Sequence, residues 1–97
     1  MKNAIATVEI FALREGEKAR RLSLVISTPE RSEEEAGPWS CRVAFADLHR
    51  ARTVHAPDSV LALSRALAMA RGWLADLEST GIVLSRDRAG SEPFVLE

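Results

Sequence analysis

The run Asp58-SVLALSRALAMARGWLADLEST-Gly81 decides how this chain folds. Alanine and leucine dominate it, and both are strong helix formers. Asp58 can cap the N–H groups of a first turn with Pro57 just outside, and Gly81 can end the helix in a left-handed conformation. Val60, Leu63, Leu67, Ala70, Leu74 and Leu77 recur at steps of three and four and line one stripe. Ala62, Ala66, Met69 and Trp73 widen the stripe along one flank, while Arg65, Arg71, Gly72 and Glu78 fall on the polar side. About 20 residues at a rise of 1.5 Å reach ~30 Å, enough to cross a small sheet.

Upstream of this helix the pattern changes to period two, the signature of strands. From Ala4 to Arg14, residues Ala6, Val8, Ile10 and Ala12 share one face, with Ile5, Thr7, Glu9, Phe11 and Leu13 on the other. Glu15-Gly16-Glu17-Lys18 reads as a turn. Arg21 to Thr28 returns with Leu22, Leu24 and Ile26 against Arg21, Ser23, Val25 and Ser27, and Pro29 stops it. The stretch Pro29 to Pro38 is acidic and proline-bounded with nothing to bury, which predicts a solvated, mobile loop. Trp39 to Ala46 alternates most cleanly, with Trp39, Cys41, Val43 and Phe45 against Ser40, Arg42, Ala44 and Ala46. Asp47 to Arg50 reads as a turn and Ala51 to Ala56 as a short fourth strand. Beyond the helix, Ile82 to Leu84 and Phe94 to Leu96 form a short hairpin around a turn at Arg86 to Ser91. Strands first, then one long helix, then a hairpin make an α+β fold. The expectation is a single domain over residues 1–97: an antiparallel sheet of about four to five strands, with the helix packed on one face.

Composition narrows the function classes. Fourteen acidic and thirteen basic residues leave a net charge of −1 over 97 residues, so no strong field draws nucleic acid or anionic lipid. No apolar stretch approaches the ~18 residues of a membrane span, and Glu9 within the first apolar run is wrong for a secretory signal. A single cysteine, Cys41, excludes an internal disulfide and fits a reducing compartment. These features point to a cytoplasmic protein. Only two of the basic residues are lysine, Lys2 and Lys18, which with abundant alanine suggests a GC-rich bacterial genome.

Chemistry is sparse. Cys41, Asp47, His49, His55 and Asp58 fall close together and contain the types a nucleophilic set needs. Cys41, however, is in register with Trp39, Val43 and Phe45, which makes it a core thiol. The spacings to Asp47 and between His49 and His55 lack the tight pairs of a zinc site. Arg50 and Arg52, with Arg42, Arg65 and Arg71, could touch phosphates. Yet the five aromatics (Phe11, Trp39, Phe45, Trp73, Phe94) are mostly claimed by the core, and a sheet that binds RNA needs exposed ones for stacking. Glu30 and Glu33 to Glu35 lack the glycine and spacing of a calcium loop. No glycine-rich phosphate loop and no hydrolase motif occurs. Met69 and Trp73, one turn apart, complete a core rim rather than frame a ligand groove. Gly72 costs ~1 kcal/mol relative to alanine on a solvent face, which suggests close approach by another chain.

Trp39-Ser-Cys41 in a sheet segment, followed by Asp58-Ser59-x-x-Ala62-Leu63 opening an alanine-rich helix, resembles a group of small bacterial proteins of unknown function. Their sheet half precedes one long helix, and the likeness spans roughly residues 4 to 84. The group more usually has glycine where Ala56 or Pro57 stands here. The resemblance implies this architecture and supplies no activity, cofactor or site residue.

One helix covers one sheet face. The other carries Phe11, Leu13, Val25 and Ala44 beside Glu9, Arg42, Ser23 and Ser27, a mixed surface that a partner could bury. The expected function is therefore a small interaction module without catalysis, metal or cofactor. It would self-associate, as a dimer, through Phe11, Leu13, Val25 and Ala44. The alternative is an immunity- or antitoxin-like protein that sequesters a specific partner, with an acidic patch at Glu33 to Glu35.

Overall fold

Strand-forming alternation becomes five lanes of sheet. The computed structural model describes residues 4–32, 38–46 and 48–96. Within them the order is β1 (Ala4–Leu13), β2 (Arg20–Ser27), β3 (Glu30–Arg31), β4 (Trp39–Phe45), β5 (His49–Ala56), α1 (Ser59–Ser79) and β6 (Val83–Ser85). Every pairing is antiparallel. β4 lies beside β2 through Leu24 to Ile26 and beside β3 through Glu30 and Arg31, so β3 prolongs the lane of β2 past an irregularity. The lanes run β5, β4, β2 with β3, β1, β6. The fold class read from the sequence is the one observed.

Three boundaries differ from expectation. Glu30 and Arg31 pair with Ser40 and Trp39 rather than joining a free loop, while residues 33–37 lie outside the described residues. β5 begins at His49, two residues before the expected start, because His49 pairs with Phe45 and its ring lies on Trp73. Phe94 to Leu96 do not form a strand. Ser85 bridges Pro93, the Phe94 N–H donates to the Leu84 carbonyl at 3.1 Å, and the chain then turns onto the core.

The core fills the space between α1 and the sheet. Ile10, Leu22, Leu24, Ile26, Cys41, Val43 and Phe45 are buried from the strands, as their alternation predicts. Asp58 caps α1, its Oδ1 accepting from the Leu61 N–H at 2.7 Å. Gly81, at φ 91°, follows the C-terminus and donates to the Glu78 carbonyl. The line of contact lies within the expected stripe, centred toward its alanine flank, and only Val60 falls outside it. Ala62, Ala66 and Ala70 are completely buried with Leu74, while Leu63, Leu67, Met69, Trp73 and Leu77 flank them partly buried. Val60 is 77% exposed. Small side chains let the helix approach β4 and β5 closely, and the larger ones then pack down both sides.

Gly72 lies on the exposed side, and a Cβ there would meet nothing within 4 Å. Gly72→Ala is therefore expected to stabilise the fold by about 0.5–1 kcal/mol, raising Tm by several degrees in thermal unfolding. A fall in Tm would mean that another chain approaches this position.

Candidate functional site

The sheet face away from α1 is built by the alternate residues of β1, β2 and β4. Phe11, Leu13, Val25 and Ala44 all project there and are half-buried. They do not form one continuous patch. Ser85 pairs with Phe11, and the segment after it folds back over this end of the face. The Arg88 guanidinium lies 5.0 Å from the Phe11 ring centroid, a cation–π arrangement. Gly90, at φ 76°, comes so close to Leu13 that a Cβ would stand 2.6 Å from its Cδ1. The positive φ favours glycine there, and a Cβ would also push the end of the Leu13 side chain aside.

One carboxylate organises this covering segment. Asp87 Oδ1 lies 2.7 Å from the Ser85 hydroxyl and 3.2 Å from the Glu92 N–H, while Oδ2 accepts from the Ser91 hydroxyl. The Ser91 and then the Ser85 hydroxyl stabilise the charged form and draw the Asp87 pKa down to about 2. Two serines flanking an aspartate were the available sequence signal, but the spacing is no known motif.

The remainder of the face is open. Val25 stands directly opposite Ala44 on one side and Thr7 on the other, a row of small side chains across three strands. Ser23 and Arg42 border it, with an ion pair of 3.8 Å between Arg21 and Glu9 at one end. Val83, paired with Leu13 and 58% exposed, extends the apolar surface past the covered end. Its period-two register with Leu84 could have placed it there. Ser27, expected on this face, is buried instead. Its Oγ accepts the Arg42 N–H at 2.8 Å, filling the break between β2 and β3.

The other candidate residues do not converge. Cys41 is 1% exposed, its thiol 3.2 Å from the Ser27 carbonyl, and burial raises its pKa. That is the environment of a structural thiol. His49 stacks on Trp73 with centroids 4.6 Å apart at one end of β5, and His55 occupies the other end. Asp58 is committed to its cap, and Asp47 lies outside the described residues. No group of three or more metal-ligating side chains occurs among the described residues. The arginines divide as well: Arg42 lies on the open face, Arg52 is in register with core-facing Val43, and Arg65 donates to the His55 carbonyl. Met69 and Trp73 pack against the core rim. No helix among the described residues is long and apolar enough to cross a membrane. No family model, curated protein or solved structure matches the chain.

Proposed function

We propose that this protein is a cytoplasmic interaction module that acts by binding rather than catalysis, and that it pairs with a second copy of itself through the open sheet face. The row Thr7, Val25 and Ala44 carries this reading: it runs across three neighbouring strands and is covered by neither α1 nor the 86–92 segment. Phe11 and Leu13, partly under that segment, form the rim of the contact rather than its centre. A net charge of −1 lets two copies meet without strong repulsion.

Light scattering across a concentration series tests the proposal. The expected mass is twice 10.6 kDa, falling to the single-chain value for Val25→Glu with circular dichroism unchanged. A buried unpaired carboxylate is costly enough to weaken such pairing at least tenfold, about 1.4 kcal/mol. A single-chain mass at every concentration, or an unaltered dimer in Val25→Glu, would remove this reading. Co-purification with another chain from the native cells would favour the sequestering alternative.

A further inference from the structure

We infer that the free edge of β1 and the groove beside it receive an extended apolar peptide segment bearing a carboxylate, bound as an added strand. Three observations meet at this place. First, β6 pairs with β1 only from Phe11 to Leu13. Alongside Ala4 to Ile10 no further strand occupies the outer side of β1 among the described residues. The backbone groups on that side are a template for a strand.

Second, a groove of about 260 Å³ borders the same stretch, with Ala6, Thr7 and Val8 in its wall. Leu24 and Ile26 also line it, Leu67 borders it from α1, and Phe94 to Leu96 supply the remaining wall. A strand added in register would direct every second side chain toward it. Third, Arg86 also lines the groove and stands where the chain leaves β6, at the end of the empty lane. Its guanidinium lies over Phe94, 4.9 Å from the ring centroid, and no carboxylate among the described residues pairs with it. A cation beside an otherwise apolar groove selects an anionic ligand group.

The other free edge shows what a protected one looks like in this molecule. β5 carries Arg50 and Arg52, and Arg65 reaches to its His55 carbonyl. Charged side chains of this kind discourage strand addition. From Ala4 to Ile10 the only charge is Glu9, whose side chain faces away from the groove toward Arg21.

The test uses the full chain labelled with ¹⁵N and two pools of synthetic heptapeptides. Both pools have Val, Ile, Leu or Phe at alternate positions with Thr or Ser between. One ends in a free carboxylate and the other in an amide. The carboxylate pool is expected to slow hydrogen exchange at alternate amides between Ala4 and Ile10, and the amidated pool to bind about tenfold more weakly. Arg86→Gln should abolish the difference between the pools while leaving the fold intact. The inference fails if saturating carboxylate pool leaves these amides unprotected, or if both pools bind the native chain equally. It also fails if protection appears without peptide and rises with protein concentration, since a second copy then fills the edge. Val25→Glu, on the opposite face, should leave peptide binding unchanged, so failure of one proposal is distinguishable from failure of the other.

Discussion

Replacing Phe45 with alanine is expected to cost about 3–5 kcal/mol, a large share of the ~5–15 kcal/mol available to a domain of this size. Phe45 is completely buried on β4 and is the largest side chain so enclosed. Its ring lies 6.3 Å from Trp73 of α1 and 6.5 Å from His49 of β5, so it joins three elements at the point where β4 turns into β5. Truncation removes apolar contact and leaves a cavity that these neighbours can fill only by moving together. Urea unfolding should show a lower midpoint with an unchanged slope. Thermal unfolding should begin more than ten degrees earlier, since each kcal/mol shifts a domain this size by about 4–8 °C. A loss under about 1 kcal/mol would show that α1 does not pack on β4 through this ring.

The strand cores were legible because alternation is a local property. Leu22, Leu24 and Ile26, or Cys41, Val43 and Phe45, are buried in the order their spacing implies. The cap at Asp58 and the stop at Gly81 were equally local. What the sequence hid depends on partners far along the chain. The residues of the open face were identifiable by parity, but the screening of Phe11 and Leu13 follows from Ser85, Asp87 and Gly90, more than seventy residues later. The join of β3 to the lane of β2 depends on Ser27 filling a break opposite Arg42. Likewise the empty lane beside β1 exists because β6 is only three residues long, and a three-residue strand has no periodicity from which to read its partner.

The helix face was legible as a stripe, but not which of its residues lie deepest, and that gives the second large expected effect. Leucines at steps of three and four suggested where α1 meets the sheet, because hydrophobicity ranks leucine above alanine. Within that stripe and its flank, burial is deepest at Ala62, Ala66 and Ala70, all with no exposed surface, rather than at the leucines. The distance between α1 and β4 is therefore set by a methyl group, with Leu63 and Leu67 on one flank and Met69 and Trp73 on the other. Ala66→Leu must displace either the helix or the facing core of Val43 and Phe45, and overpacking of this kind costs about 1–3 kcal/mol. Ala68→Leu, at an exposed position two residues along the same helix, should stay within about 0.5 kcal/mol of the native chain. Both are measured by chemical unfolding under one condition, and helix propensity nearly cancels between them. If Ala66→Leu proved neutral or stabilising, the small-residue line would not be the contact, and the leucine stripe would be the face that packs on the sheet.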